Sequence, residues 1–417
     1  MAVNIISESS CRVAIVGGGT SGLALAAELK RLNVGSVVVL EREPISGGIP
    51  RHCGHYPFGI HEYRRLMKGP EYARKNSDVA TKLRAIIRTG TTVTALRPGG
   101  TLEITTHAGR ELLHADRVVL CTGVRESSRA QRFIGGDRPY GVISTGALQS
   151  MAYLQNIRPF RNPVIFGSEL VSFSAIQTCS HVGIKPIALV EEEDRVRVRS
   201  LLSPYLIAKR VPLHTGIRHP KIVGRETVEA LEFTDKNGDH RRIETDGIII
   251  SGRFRPEAAL LRASHLDVDS GTGGPVVDQT GRCSDPAYFA TGNILRPAET
   301  SAFCWQEGVD TAARVANDLQ APSPHTPKVV SVSHDDPAIR FVVPQRIDTS
   351  LPPYGMAHFY LGLAEEVRGV LEARSDGILI WEKSIRSRPV RRLQFSLSEI
   401  VKPPAADDIT FTLRRLG

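Results

Sequence analysis

Apolar residues run unbroken at two places near the start of the chain, Val13-Ala14-Ile15-Val16 and Val37-Val38-Val39-Leu40. Runs of four with no polar alternate mark strands buried on both faces of a parallel sheet. Between them, Gly17-Gly18-Gly19-Thr20-Ser21-Gly22 leads into Leu23-Ala24-Leu25-Ala26-Ala27-Glu28-Leu29, a stretch of helix formers. Glu41 closes the second run, 24 positions beyond Gly17. Strand, glycine turn, helix, strand and acid in this order make a dinucleotide-binding unit. Each glycine has a physical duty: Gly17 makes the tight turn, Gly19 lets bare backbone approach a pyrophosphate, and Gly22 lets helix and strand pack closely. Glu41 is placed to take ribose hydroxyls. The alternative is a glycine-rich turn that holds no ligand.

The same pattern returns further on. Residues 163–166 are an apolar strand, Gly167-Ser168-Glu169-Leu170-Val171-Ser172 is the turn, and residues 184–190 form a strand ending at Glu191. Gly167 and Glu191 are again 24 positions apart, so the unit repeats with an offset of 150. A repeated supersecondary unit implies a repeated architecture, here two dinucleotide folds. The second copy lacks two of the three glycines: Glu169 stands in place of Gly19 and Ser172 in place of Gly22. A carboxylate facing a pyrophosphate repels it, so this copy is expected to keep its frame for packing or subunit contacts and not to bind NADH or NADPH productively; the alternative is that Glu169 turns outward and NADH still binds.

Between and beyond the two copies the pattern predicts a helix over 63–83 broken at Gly69-Pro70, and a small antiparallel sheet from 91–96, 102–106 and 111–113. A buried strand over 116–123 runs into Gly123. Further strands are predicted at 227–233, 242–250 and 275–277. Residues 288–293 form a strand ending in Gly292-Asn293, followed by Glu299-Thr300-Ser301 and a helix over 302–319. Thr300 or Ser301 caps that helix. Its free amide donors suit the pyrimidine edge of a flavin, or they belong to an ordinary capped helix. Residues 321–327 read as a linker, and short β stretches at 339–347, 358–363, 368–373, 377–382, 391–397 and 409–413 predict a separate module. The fold class is α/β: two dinucleotide-binding, Rossmann-like domains and a small C-terminal all-β module. Expected boundaries are 1–158 and 251–320 for the first domain, 159–250 for the second and 328–417 for the module.

Composition narrows the function. With 417 residues the chain is long enough for several domains, and its hydrophobic (41%) and charged (23%) fractions are globular. No run reaches the ~18 apolar residues of a membrane span, and the first ten residues lack a secretory pattern, so a cytoplasmic protein is expected. The net charge of +9 comes without a nucleic-acid motif, so nucleic acid is not an expected partner. Residues 383–392 hold five cations and no acid; they are a solvated basic strand edge or a docking surface for an acidic partner. The six cysteines are scattered, without a Cys-x-x-Cys pair, and are expected to be reduced thiols. The loop after Glu41 carries His52, Cys53 and His55, with His61 beyond. Their irregular spacing speaks against a metal site; the loop is one of surface histidines or, as its placement resembles the second glycine pair of large flavoproteins, one lining a flavin.

The order of a dinucleotide motif, an inserted second dinucleotide domain and a return strand with Gly292-Asn293 resembles the flavoproteins of the glutathione reductase and thioredoxin reductase superfamily, over about residues 11–320. The strand ending at Gly123 resembles the alanine–threonine–glycine strand that closes their nucleotide site. More narrowly, Gly47-Gly48-Ile49-Pro50-Arg51-His52-Cys53-Gly54-His55, Phe166-Gly167-Ser168-Glu169-Leu170-Val171-Ser172-Phe173-Ser174 and Gly292-Asn293-Ile294-Leu295-Arg296-Pro297-Ala298-Glu299-Thr300 resemble the alpha subunits of opine oxidase, hydroxyproline dehydrogenase and hydrogen cyanide synthase. The flavoprotein partner of glycerol-3-phosphate-dehydrogenase-like complexes is a related group. The resemblance implies bound FAD. Gly17, Gly19 and Gly22 would hold its pyrophosphate, with Thr20 and Ser21 in the same turn, Glu41 its ribose with Arg42 alongside, and Val93 its adenine. Gly48 and Ile49 would line the flavin, Gly123 would close the nucleotide site, and Gly292, Asn293, Thr300 and Ser301 would meet the ribityl and pyrimidine ends. It also implies a dehydrogenase subunit acting on an amino-acid-like, opine-like or hydroxy substrate, with a second flavin subunit and a small iron–sulfur protein as partners. The alternative is a stand-alone NAD(P)H-dependent flavin reductase for a ferredoxin-like partner. Paired redox cysteines are missing, so disulfide reduction is not expected. No cysteine follows Cys304, so any iron–sulfur centre is expected on a partner chain. No general base is named by the sequence.

Overall fold

The computed structural model describes residues 7–197, 206, 208–320, 328–351, 355–388, 392–401 and 408–415. The chain divides into two units, Met1–Gly48 with Ala73–Val124 and Pro256–Gly417, and Ile49–Tyr72 with Arg125–Arg255. Among the described residues no helix is long and apolar enough to cross a membrane.

The first unit opens with strand β1 (Ser7–Val16), helix α1 (Thr20–Arg31) and strand β2 (Val37–Leu40). Every residue of β2 is buried, and α1 buries Leu23, Leu25 and Leu29 in the same core as Val13, Ile15 and Val39. β1 is central, parallel to β2 on one side and to strand β3 (Gly109–Leu120) on the other. The sequence pattern separates 111–113 from 116–123, but β3 is one continuous strand that also pairs antiparallel with Thr101–Thr106. His114 and Ala115 close the gap by pairing with Ser10 and Cys11 of β1, and beyond them Asp116 meets Arg12 at 2.6 Å and Arg117 pairs with Asp318. The small antiparallel sheet is therefore an extension of the parallel one. The helix expected over 63–83 is regular only from Gly69 to Lys82. Pro70 lies in its first turn, where a missing N–H costs nothing, so it starts the helix and does not interrupt one.

The second unit repeats the arrangement with strand β4 (Val164–Phe166), helix α2 (Leu170–His181), strand β5 (Ala188–Glu191) and strand β6 (Ile248–Ile250). β4 lies between β5 and β6, parallel to both, in a five-stranded sheet. β5 begins later than 184, since Pro186 has no N–H to offer a ladder. The strand predicted over 242–250 splits into His240–Glu244, which joins an antiparallel sheet, and β6. Between them the Thr245 hydroxyl donates to the Gly247 carbonyl at 2.9 Å and turns the chain. Residues 275–277 form no strand, only a bridge between Val268 and Pro275.

Back in the first unit, strand β7 (Tyr288–Ala290) pairs with β3, and helix α3 (Ser301–Gln320) packs on α1. Gly308 makes that approach possible: any Cβ there would run into the Ser21 backbone. The C-terminal strands form two sheets, in the order Arg346–Asp348, Val329–His334, Asp408–Arg415, Val367–Ser375, Ile378–Ser387 and the order Ile339–Val343, His358–Leu363, Leu393–Ser396. Val329–His334 was not expected from the sequence. Phe359, Leu361, Leu371 and Phe411 form a core of their own. Phe341, Val343, Met356 and Tyr360 instead join the core containing Val118, Leu120 and Tyr288. The predicted linker, 321–327, lies outside the described residues, as does Arg391 of the basic segment.

Candidate dinucleotide site

The turn after β1 is built from backbone. Gly17 takes φ +111°, and a Cβ there would lie 2.5 Å from the Cys121 carbonyl oxygen; one on Gly22 would run into the Gly17 carbonyl. These two positions accept glycine alone. Gly19 and Gly123 are different. A Cβ on Gly19 would meet only the Gly48 Cα, at 3.9 Å, and one on Gly123 would meet nothing within 4 Å. Both therefore face open space at the carboxyl ends of β1 and β3, the crevice where open α/β sheets take ligands. Gly48, at φ +61°, passes so close to the turn that its own Cβ would lie 2.8 Å from the Gly19 Cα. Helix α1 begins here with Gly19 as N-cap, no side-chain cap and no acid in its first turn. Its first amides and its positive dipole end are available to an anion. Thr20 and Ser21 are buried at that start.

Glu41 is buried, and its carboxylate accepts from the Gly18 N–H (2.9 Å, Oε2) and the Glu43 N–H (2.9 Å, Oε1). Each oxygen keeps a lone-pair direction for a ribose hydroxyl. Arg42 is exposed, 4.0 Å from Glu43. Val93 is half-buried on Thr92–Arg97, against the core of the same unit.

The return element meets the turn through Gly292 and Ser21. Gly292 has φ +77°, and a Cβ on it would lie 2.6 Å from the Ser21 hydroxyl. Its N–H donates to Glu307 Oε2 at 3.0 Å, while Glu307 Oε1 accepts from Arg296 Nη2 at 2.7 Å. Glu307 and Arg296 escape a sequence reading. Glu307 sits one residue before Gly308 on the buried face of α3, an acid in a stripe of small and apolar residues, which is the signal that could have found it. Arg296 is fully buried and stacks over Tyr360, 4.2 Å from the ring centre. Arg392 covers Phe303 at 4.0 Å and pairs with Glu299. Asn293 braces this loop, its Oδ1 accepting from the Glu299 N–H at 2.8 Å. Thr300 is the cap, accepting from the Phe303 N–H at 3.3 Å, and Ser301 opens α3.

Ile49 belongs to the second unit, exposed at the start of the turn Ile49–His52. In that unit the Cys53 thiol is buried within 3.7 Å of Gln149 Oε1; burial, then the Glu126 charge, pushes its pKa up to about 12. His55 Nε2 and the Ser174 hydroxyl share a 3.1 Å hydrogen bond. All six cysteines are free and buried.

The repeat persists at the level of single hydrogen bonds. Ser168 N–H donates to Glu191 Oε2 at 2.9 Å and Glu193 N–H to Oε1 at 3.1 Å, the counterparts of the Gly18 and Glu43 bonds to Glu41. Gly167 has φ +114°, next to the +111° of Gly17. Ser172 replaces the close-packing glycine by donating its hydroxyl to the Gly167 carbonyl at 2.8 Å.

Known proteins share this architecture. Residues 11–314 match the pyridine nucleotide-disulphide oxidoreductase family. Among curated proteins, the probable ferredoxin reductase CtmF of Castellaniella defragrans is 26% identical over 295 residues, 68% of this chain and 67% of that one. The sarcosine oxidase subunit alpha of Rhizobium meliloti is 25% identical over 219 residues, half of this chain but a fifth of that protein. Among solved structures, thioredoxin reductase of T. acidophilum superposes with a TM-score of 0.63 at 23% identity, covering 75% of this chain and 99% of the other. L-proline dehydrogenase from P. horikoshii superposes at 0.58 and 18% identity, covering 76% and 57%. The open backbone of Gly19 and Gly123, the uncapped start of α1 and the acid at the end of β2 fit the FAD that such a fold holds. The chain belongs to the pyridine nucleotide-disulphide oxidoreductase family and is an FAD-dependent oxidoreductase.

Proposed function

We propose that this chain is the FAD-binding subunit of a heteromeric, dye-linked dehydrogenase, which oxidises an amino-acid-like, opine-like or hydroxy substrate and passes the electrons to a partner. The observation that carries this reading is the state of the thiols. A disulfide reductase needs two cysteines within bridging distance and a reactive thiolate; here six cysteines are single and buried, and burial drives their thiols away from ionisation. Electrons on the flavin then have no acceptor of that kind within the chain.

FAD supplies the two-electron chemistry when bound, and the protein supplies position and electrostatics. The start of α1 holds the pyrophosphate, Glu41 the ribose, and the Glu307–Arg296 pair fixes the Gly292 amide at the return turn. The names of the two curated relatives favour a ferredoxin-like or a multi-subunit partner.

Affinity purification from the native host, with dye reduction assayed against a panel of secondary amino acids, opines and hydroxy acids, tests the proposal. A co-purifying flavin or iron–sulfur subunit with substrate-dependent dye reduction is the expected result. A lone chain that reduces ferredoxin with NADH and no other donor would establish the stand-alone reductase instead.

A further inference from the structure

We propose that the second dinucleotide cradle is closed to NADH and NADPH by this chain's own Glu169, whose carboxylate takes the place of the dinucleotide's pyrophosphate. The family name implies a pyridine nucleotide, yet the residues of the second cradle do not fit one. In the first cradle the position equivalent to Glu169 is Gly19, which faces open space. In the second, Glu169 is the N-cap of α2, but its side chain makes no cap hydrogen bond. It reaches across the mouth of the cradle. Its Oε1 accepts from the Arg253 backbone N–H at 3.0 Å and from Arg197 Nη1 at 3.3 Å, and its Oε2 lies 2.6 Å from where a Cβ on Gly252 would be. Gly252 follows β6, the strand beside β4, so the carboxylate lies over bare backbone in the crevice a dinucleotide needs.

Two further fillings complete the closure. Glu191, the acid that would take a ribose, is 1% exposed, and its Oε2 already accepts both the N–H and the hydroxyl of Ser168, at 2.9 and 2.5 Å, so that only Oε1, bonded to the Glu193 N–H, keeps a lone-pair direction. Arg132, 2% exposed, occupies the carboxyl end of the sheet: its Nη1 donates to the carbonyls of Ser251 (2.8 Å) and Phe166 (3.2 Å), and its Nη2 meets Glu192 at 3.1 Å. The Arg253 amide and the Arg197 guanidinium are thus satisfied by a carboxylate of the protein, which sets a negative charge beside the start of α2 where a pyrophosphate would come. Arg197 offsets part of the Glu169 charge, and the repulsion that remains weakens binding at least ~10-fold. All of these groups lie in the second unit.

The inference deepens the dehydrogenase reading, since it removes the nicotinamide as electron donor. Anaerobic titration of the holoprotein with NADH and NADPH tests it, with nucleotide fluorescence reporting binding and flavin absorbance reporting electron transfer. The expected result is no saturation below about 1 mM, the upper end of ordinary substrate affinities. Glu169→Gly, at unchanged FAD content, is expected to bind NADH at least ~10-fold more tightly. Saturation and bleaching of the wild-type protein at micromolar NADH would overturn the closure, as would a well-folded Glu169→Gly variant that binds no better than wild type. Because the wild-type titration decides by itself, a misfolded variant does not rescue the proposal. Failure here would leave the FAD assignment intact, since released cofactor reads that, and the substrate panel separately scores the dehydrogenase reading.

Discussion

Gly48 crosses Gly19 so closely that a Cβ on Gly48 would lie 2.8 Å from the Gly19 Cα, while a Cβ on Gly19 would find only the Gly48 Cα, at 3.9 Å. The pair is asymmetric: a side chain on Gly48 would meet backbone, whereas one on Gly19 would enter the open space proposed for the pyrophosphate. Gly19→Glu is therefore expected to leave the fold intact and lose FAD. Far-UV circular dichroism should match wild type while bound flavin falls more than ~10-fold, because a carboxylate then faces the pyrophosphate. Gly48→Ala, forced to hold φ +61° against backbone, should lose both flavin and stability.

The Glu307–Arg296 pair is buried on both sides, with side-chain exposures of 7% and 0%. Removing Glu307 leaves the buried Arg296 with its 3.4 Å ion pair to Glu299 alone and takes the acceptor from the Gly292 amide, so Glu307→Ala should destabilise the holoprotein by about 3 kcal/mol, measured by denaturant unfolding. A double change, Glu307→Gln with Arg296→Met, should cost less than the sum of the single changes. Strict additivity would show that the two residues do not act as a unit.

Burial pushes the thiols of Cys11, Cys53, Cys179 and Cys304 up to about 12. At pH 8 only roughly one such thiol in ten thousand is a thiolate, the form that reacts. Iodoacetamide should label none of the six cysteines in the native protein and all six after denaturation, with or without prior reductant. A cysteine that appears only after reduction would reveal a disulfide and contradict the thiol argument.

Arg386 on Ile378–Ser387 lies directly opposite Arg368, and both are exposed; Arg388 is 3.7 Å from Glu366. Like charges facing across strands destabilise a sheet unless an acid joins them. Arg386→Glu with Arg388→Glu should weaken assembly with an acidic subunit, the more so at low salt, and leave FAD content unchanged. Assembly that is indifferent to both changes returns this edge to an ordinary solvated strand.

How far the sequence could be read follows from how local each feature is. The first dinucleotide unit and its copy are written in consecutive residues, so Gly18 to Glu41 and Ser168 to Glu191 reappear as equivalent hydrogen bonds at an offset of 150. Thr300 is recognisable as a cap for the same reason. The continuous β3 was not legible, because the predicted stretches stop short of each other at His114 and Ala115, whose pairing with Ser10 and Cys11 comes from far along the chain. Charged residues in a helix read as exposed, which hid Glu307. The contact of Arg296 with Tyr360 joins distant segments that composition assigns to different modules. The sequence identified Glu169 as a misfit for a pyrophosphate, but its partner, the Arg253 amide, could be known only from the fold.

One binding-competent cradle and one closed one predict a single dinucleotide per chain, and the cofactor released from purified protein measures that directly. Denaturation of the yellow protein should release FAD, not FMN, at one equivalent per chain, with no NAD(H) or NADP(H) beside it. Colourless protein that cannot be reconstituted with FAD, or a second equivalent of bound nucleotide, would contradict the account.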